Sequence, residues 1–280
     1  MKLTTRIHDR DVEGLRYVYP VVSRRAGGVS VGINLNPNNA CNWRCLYCQV
    51  PGLVAGKGPP IELDVLRDEL QRMLGAIVKG DYMERCVPEE YRRLNDVALS
   101  GNGEPTSSPQ FEEAIEIAAE TLSSLGIPET SIILITNGSL AHKPEVQKGL
   151  ARLARSSGEV WFKLDSATDE GMRRLNSAHT GIERQVQNLR TTASIAPTWI
   201  QTMALALDGQ APSDTEREAY LELMARGVEE GWGLRGVLLY GLARASYQPE
   251  ASRLEALPEA WLQDLANDLR DRGLEVRVNL

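Results

Sequence analysis

The sequence alternates short apolar runs rich in β-branched residues with longer stretches whose apolar residues recur at helical spacing. Strands that alternate with helices of this length form parallel sheets with right-handed crossovers. From Val29 onward there are six such strand–helix units and a final strand, which predicts an α/β fold, a partial (β/α)6 barrel. We assign residues 1–28 to an N-terminal extension and residues 29–280 to the core domain. The predicted strands are VSVGINL, DVALSG, SIILITNG, EVWFKLDS, TWIQTMALAL, LRGVLLYGLA and LEVRVNL.

The chain is acidic, with 31 Lys and Arg against 38 Asp and Glu and a formal net charge of −7. It therefore lacks the broad basic surface typical of a protein that binds the phosphate backbone. Nucleic acid is a possible but disfavoured partner, and Arg24 and Arg25 would be the first members of a local basic patch. The polar N-terminus and the absence of an apolar run of roughly 20 residues predict a cytoplasmic protein with no membrane contact.

Three of the four cysteines lie within eight residues, CNWRCLYC, directly after the first predicted strand. In a reducing compartment such a cluster indicates metal binding more than disulfide formation, and the isolated Cys86 is most simply a lone thiol. Structural zinc sites usually close with four Cys or His ligands. A [4Fe–4S] cluster held by three thiolates leaves one iron available to a small chelating molecule. A non-catalytic iron–sulfur or zinc module is the alternative.

The spacing C-x3-C-x2-C, with an aromatic residue before the last cysteine, resembles the radical S-adenosylmethionine (radical SAM) superfamily. The resemblance implies that Cys41, Cys45 and Cys48 bind a [4Fe–4S] cluster and that Tyr47 lies against the adenine of SAM. In that family the amino and carboxylate groups of SAM chelate the unique iron. One electron then cleaves SAM to methionine and a 5′-deoxyadenosyl radical, which takes a hydrogen atom from the substrate.

The segment SGNGEPT follows the second predicted strand and places a carboxylate beside glycines that allow close backbone approach. A carboxylate is a strong charge-assisted acceptor for the amino group of SAM. The segment resembles the superfamily's GGE motif, with Asn102 in place of the first glycine. By that resemblance, Gly103 and Glu104 hold the methionine amino group.

Other candidate residues follow the later strands, whose carboxyl ends meet at one edge of a parallel sheet. Thr136 and Asn137 carry hydrogen-bonding side chains, although an Asn-Gly turn that merely ends a strand is equally consistent with ITNG. In FKLDS, Lys163 and Asp165 share a strand face, so Lys163 is expected to pair with Asp165 or with a ligand carboxylate. Asp165 and Ser166 suit ribose hydroxyls.

The sixth predicted strand ends in LLYGLAR, where members of the superfamily cradle adenine. The matching residues are Leu239, Tyr240 and Leu242, although a plain core strand predicts the same apolar pattern. Arg244 would contact either the ligand or solvent.

The combination of CQV, SGNGEPT, TNGSL, KLD and LYGLAR resembles a bacterial branch related to the wyosine-base synthases, which modify tRNA. Those enzymes carry further cysteines for a second cluster, whereas here only Cys86 lies outside the trio. We therefore expect an unidentified organic substrate, a small molecule or peptide, with tRNA modification as the alternative. No flavodoxin-like segment is recognisable, so an external electron donor of flavodoxin or ferredoxin type is expected.

Overall fold

The computed structural model describes residue 3 and residues 14–23 and 27–279 of the 280-residue chain. Arg24 and Arg25, the first members of the proposed basic patch, lie outside these residues. The described residues form an eight-stranded sheet whose spatial order is the chain order. The strands are β1 Val18–Ser23, β2 Gly28–Ile33, β3 Leu94–Leu99, β4 Ser131–Thr136, β5 Gly158–Lys163, β6 Thr198–Ala204, β7 Leu234–Gly241 and β8 Val276–Asn279.

The seven strands β2 to β8 pair in parallel throughout, and the sheet curls into an open half-barrel. This confirms the predicted partial barrel of six strand–helix units and a final strand. Because every connection returns the chain across the sheet, all seven carboxyl ends lie at one edge. Eight α-helices lie among the described residues: α1 Leu63–Val78, α2 Tyr82–Cys86, α3 Phe111–Ser124, α4 Pro144–Ala154, α5 Asp169–Asn176, α6 Ile182–Ile195, α7 Asp214–Glu229 and α8 Glu259–Asp271.

Most of the helices bury an apolar stripe in the main core against the outer face of the sheet, whereas the short helix α5 packs its Met172 against Trp43 of the cysteine loop. In α1 the fully buried residues Leu66, Leu70 and Leu74 recur every fourth position, as an amphipathic helix requires. Helix α4 spans the predicted segment PEVQKGLARLA and begins with Pro144, a residue favoured at the first helical position. No helix in the described part of the chain is long and apolar enough to span a membrane.

Strand β1 was not predicted, because Pro20 interrupts an otherwise strand-like run in the N-terminal extension. The strand pairs antiparallel with β2 at the edge of the sheet, and Pro20 lies opposite Val31. An edge strand tolerates proline because one of its sides makes no ladder hydrogen bonds. Buried Glu69 on α1 accepts hydrogen bonds from the backbone N–H groups of residues 16–18 and fixes the start of this strand. The division of the chain at residue 28 stays a prediction.

Candidate active site

A cavity of about 600 Å³ opens at the carboxyl edge of the sheet and extends into the barrel interior. Side chains alternate along each strand, so one set faces this cavity while the other packs beneath the helices. Eleven of the fifteen residues proposed from the sequence line the cavity: Cys41, Cys45, Tyr47, Cys48, Asn102, Gly103, Glu104, Asn137, Lys163, Tyr240 and Leu242. Arg244 lines it as well.

The three cysteines lie on the loop that follows β2, and all three thiols are unpaired and partly exposed to the cavity. The loop begins with the short strand Ala40–Cys41, which pairs with Val54–Ala55. Within it, the Cys48 N–H donates to the carbonyl of Cys45 at 3.0 Å. The Trp43 N–H points to the Cys41 sulfur at 3.5 Å, a geometry suited to a thiolate.

Two segments distant in the sequence hold the backbone of the cysteine loop. The Leu46 N–H donates to the carbonyl of Leu175 at 2.8 Å, and the Leu46 carbonyl accepts from Ser246 Oγ at 2.6 Å. Arg44 forms a bidentate ion pair with Glu250, with N···O distances of 2.7 and 2.8 Å. The loop conformation is therefore set by protein contacts, which leaves the thiols to face the cavity.

The three thiols are not arranged as the ligands of one metal ion. No three His, Cys, Asp or Glu side chains among the described residues are close enough to share one ion. In a [4Fe–4S] cluster each thiolate binds a different iron, so the ligands must surround a larger space. Burial raises the pKa of Cys41 to about 12 and that of Cys45 to about 11. Binding of iron would therefore displace the thiol protons.

Glu104 is a buried carboxylate at the cavity wall, with only 2% of its surface exposed. Its Oε1 accepts hydrogen bonds from the Thr106 hydroxyl at 2.6 Å, the Thr106 N–H at 3.1 Å and the Thr136 hydroxyl at 2.5 Å. Its Oε2 accepts from the Asn137 N–H at 2.7 Å. All four donors are neutral, and burial raises the pKa of this carboxyl above its ordinary value. A ligand amino group is the kind of partner that would stabilise its charge.

The glycine-containing loop before Glu104 packs directly on the cysteine loop. A Cβ at Gly103 would lie 2.0 Å from the carbonyl oxygen of Ala40, so only glycine fits there. The Asn102 side chain donates to Asn39 Oδ1 at 2.6 Å, which ties the two loops together. The asparagine that replaces the expected glycine thus has a structural contact of its own.

Tyr47 lies between the two charged residues of the FKLDS segment. Lys163 Nζ donates to the Tyr47 hydroxyl at 2.7 Å, and this hydroxyl donates to Asp165 Oδ2. The ammonium also lies 4.8 Å from the centre of the Tyr47 ring. Burial raises the pKa of Tyr47 well above its ordinary value, and the Asp165 charge adds to the effect. Lys163 and Asp165, which were expected to pair, are thus connected by hydrogen bonds through the Tyr47 hydroxyl.

Asn176, at the end of α5, was not predicted from the sequence to belong to the site. Its Nδ2 lies 2.6 Å from Asp165 Oδ2 and 3.3 Å from the Cys45 sulfur, so it joins the polar network to the cysteine loop. The α5 segment DEGMRRLN is short and mostly polar, and its apolar spacing gives too weak a signal to predict the helix.

Four proposed residues lie outside the wall of the main cavity. Thr136 contacts Glu104 instead, and Leu239 is fully buried in the core because its side chain lies on the outer face of β7. Asp165 and Ser166 line a neighbouring cavity of about 350 Å³. There Ser166 Oγ donates to Glu216 at 2.8 Å, so its hydroxyl already has a protein acceptor. The assigned roles of all fifteen residues remain predictions.

Comparison with known proteins identifies the family. Residues 35–219 match the radical SAM superfamily, and this range contains the cysteine loop, Glu104 and Lys163. The chain belongs to the radical SAM superfamily. A radical SAM methyltransferase from Sphaerobacter thermophilus is similar in structure, with a TM-score of 0.64 at 16% identity, covering 96% of this chain and 70% of that one. TYW1 with a lysine–pyruvate adduct bound gives a TM-score of 0.54 at 18% identity, covering 86% and 73%. These two likenesses show the radical SAM fold.

Sequence relatives carry the name UPF0026 protein. The relative from Helicobacter pylori is 27% identical over 58% of this radical SAM chain and 46% of its own length. The relative from Methanocaldococcus jannaschii is 29% identical, over 57% and 43%. The chain therefore spans about half the length of the Helicobacter pylori relatives it matches.

Proposed function

We propose that the protein is an enzyme that holds a [4Fe–4S] cluster through Cys41, Cys45 and Cys48 and uses it to cleave SAM. The bound cluster would supply one electron, which breaks a carbon–sulfur bond of SAM and yields methionine and a 5′-deoxyadenosyl radical. That radical would take a hydrogen atom from an organic substrate, a small molecule or a peptide. Membership of the radical SAM superfamily supports this chemistry.

The observation that carries the proposal is the arrangement of donors around one cavity. Three thiols and the buried Glu104 carboxylate line it together, although they come from loops more than 50 residues apart. A structural metal site would need the thiols but has no use for a buried carboxylate bonded only to neutral donors. In this proposal Glu104 binds the amino group of SAM, and Gly103 lets the backbone approach it.

The remaining wall residues suit the nucleoside part of SAM. Tyr47 offers an aromatic ring, and Tyr240 and Leu242 offer a largely apolar surface for adenine. Lys163 and Asn137 offer hydrogen-bond donors at the same edge. We assign the barrel interior beneath these residues to the organic substrate.

The test is anaerobic reconstitution with iron and sulfide, reduction with dithionite and detection of 5′-deoxyadenosine by mass spectrometry. We expect product above the level of a Cys45→Ala control, together with binding of SAM to the loaded protein. Deuterium transfer from candidate substrates into 5′-deoxyadenosine would then identify the hydrogen donor. A cluster-loaded sample that neither binds SAM nor cleaves it would contradict the proposal.

A further inference from the structure

One buried amide lies directly against a sulfur of the cysteine loop. Asn176 is the last residue of α5 and exposes only 1% of its surface. Its Nδ2 lies 3.3 Å from the Cys45 sulfur and 2.6 Å from Asp165 Oδ2. An NH₂ group carries two hydrogens, so this amide donates to the carboxylate and to the sulfur at the same time.

The orientation of the amide follows from the chemistry of Asp165. A carboxylate only accepts hydrogen bonds, so the NH₂ end of Asn176 must face it, whereas the reversed amide would present a second acceptor. Asp165 is itself held in place, because Oδ1 accepts from the Met203 N–H at 2.9 Å and Oδ2 accepts from the Tyr47 hydroxyl. The N–H group that points to the sulfur is therefore fixed by the fold.

The backbone of α5 is bonded to the cysteine loop on both sides of this contact. The Arg44 N–H donates to the carbonyl of Asn176 at 3.0 Å, and the Leu46 N–H donates to the carbonyl of Leu175 at 2.8 Å. The helix ends at the next residue, Ser177, which is left-handed with φ of 49°. The short distance between amide and sulfur thus depends on two backbone hydrogen bonds as well as on the side chain.

Two charged groups near Cys45 act in opposite senses on negative charge at its sulfur. The Lys163 ammonium stabilises such charge, and the Asp165 carboxylate destabilises it. The Asn176 amide is neutral and donates a hydrogen bond to the sulfur itself. Hydrogen bonds to the sulfurs are among the factors that determine the reduction potential of an iron–sulfur cluster.

We propose that Asn176 raises the reduction potential of the [4Fe–4S] cluster by donating a hydrogen bond to the Cys45 sulfur. The inference rests on the proposed function, because it requires a cluster bound by Cys45. Reduction adds one electron from an external one-electron reductant and transfers no atom, so the sulfurs carry more negative charge afterwards. A donor at the sulfur stabilises this reduced form more than the oxidised form.

The experiment replaces Asn176 by leucine, which has a similar volume and no hydrogen-bond donor. The matched control is Asn188→Leu, because Asn188 on α6 also exposes 1% of its surface and donates to the carbonyl of Ser139 at 3.2 Å instead of to a cysteine. Both variants and the parent are reconstituted anaerobically, and bound iron and sulfide are measured. The midpoint potential is determined by titration with dithionite in the absence of SAM, followed by electron paramagnetic resonance of the reduced cluster.

We expect Asn176→Leu to shift the redox equilibrium about tenfold towards the oxidised cluster, which lowers the one-electron midpoint potential by about 59 mV. The control also loses a buried hydrogen bond, so it should lose a similar part of its resistance to urea while its redox equilibrium changes less than about twofold. After exchange into D₂O, electron–nuclear double resonance of the reduced parent should show a deuteron coupling that Asn176→Leu lacks and Asn188→Leu retains. This signal distinguishes a hydrogen bond to the sulfur from a disturbed fold.

An unchanged midpoint potential in Asn176→Leu, or an equal shift in the control, would overturn the role of Asn176. If Asn176→Leu does not fold or loads no cluster, Asn176→Asp replaces it, because it keeps the shape of the side chain and has no N–H to face the sulfur. This variant should shift the equilibrium at least about tenfold in the same direction, and an unchanged potential would again contradict the proposal.

The proposed function fails by a different measurement. A parent whose cluster is reduced by dithionite but which neither binds nor cleaves SAM would refute that function, while the midpoint potentials would still test Asn176. A parent that assembles no cluster on its cysteines would refute both, and the iron and sulfide analysis shows this before any potential is measured.

Discussion

The replacement Glu104→Gln tests the part of the site that separates a SAM-binding enzyme from a metal-binding module. Glutamine has nearly the same shape but no charge. A hydrogen bond to a charged group contributes about 1.5–3 kcal/mol and a neutral one about 0.5–1.5 kcal/mol. We therefore expect SAM to bind more weakly by about 1–2 kcal/mol, roughly 5- to 30-fold. The cluster should still form, since Glu104 does not belong to the cysteine trio.

The same change also disturbs the fold locally. Glu104 Oε1 accepts three hydrogen bonds and Oε2 accepts one from the Asn137 N–H. In glutamine one of these oxygens becomes an NH₂ group, which cannot accept. If the oxygen keeps the three bonds, the Asn137 N–H loses its partner at a cost of about 1–3 kcal/mol. Urea unfolding measures this loss separately from SAM binding.

Glu69→Gln is the matched control, because Glu69 is also a buried carboxylate that accepts only backbone hydrogen bonds in the structure. It lies on α1 and does not line the cavity. It should lower the free energy of unfolding by a similar amount and leave the SAM dissociation constant unchanged. Calorimetric titration of cluster-loaded protein gives that constant. Equal SAM affinity in the Glu104 variant and the parent would refute the assigned role.

The affinity should also depend on pH in a way that identifies Glu104. Burial raises the pKa of this carboxyl, so the free protein takes up a proton there above the ordinary glutamate range as the pH falls. The neutral form is a poorer acceptor for the SAM amino group. Native SAM affinity should therefore fall in acid more steeply than that of Glu104→Gln, which has no group to titrate at this position.

Three further outcomes are expected from changes around the cysteine loop. Cys45→Ala should abolish the absorbance of the reconstituted cluster, whereas Cys86→Ala, in the buried core, should retain it and cost about 1 kcal/mol of stability. Tyr47→Phe removes the hydroxyl between a lysine and an aspartate and should weaken SAM binding by about 1 kcal/mol while the cluster forms, which calorimetry measures. Glu250→Gln should cost up to about 1 kcal/mol in urea unfolding at neutral pH, because the pair with Arg44 is partly exposed. Arg44 lowers the pKa of Glu250, so this contribution is present above the unfolded pKa and is lost in acid as the pH falls through the folded pKa.

The sequence predicts those features of the fold that repeat along the chain. Strands β2 to β8 and helix α4 follow from the spacing of apolar residues and from the Gly and Pro residues near the ends of these elements. The position of the site follows because parallel strands end at one edge of the sheet. Strand β1 and helix α5 carry weak local signals, and tertiary contacts decide them. Pro20 is compatible with strand β1 because this strand lies at the edge of the sheet and pairs with β2 alone.

Side-chain direction was harder to predict than position in the chain. Leu239 and Tyr240 are neighbours on β7, yet only Tyr240 faces the cavity, because strand residues alternate between the two faces. Asp165 and Ser166 follow the end of β5, where that alternation no longer fixes the direction of a side chain. Contacts made by Asn176, Tyr47 and Glu216 orient them instead, and no short motif contains those pairings.

The contacts that hold the backbone of the cysteine loop come from other segments of the protein. The main buried core packs between the sheet and the helices without the three cysteines, and Cys41 and Cys45 pack instead against a small buried cluster formed by Trp43, Met172 and Ala178. Contacts from Leu175, Ser246 and Glu250 hold the backbone between the cysteines. We therefore expect the domain to fold without a cluster, in contrast to small zinc modules that unfold without metal, and circular dichroism of cluster-free protein tests this expectation. If the cysteines hold a cluster as proposed, the free energy of its binding would be available to displace the thiol protons of the buried Cys41 and Cys45.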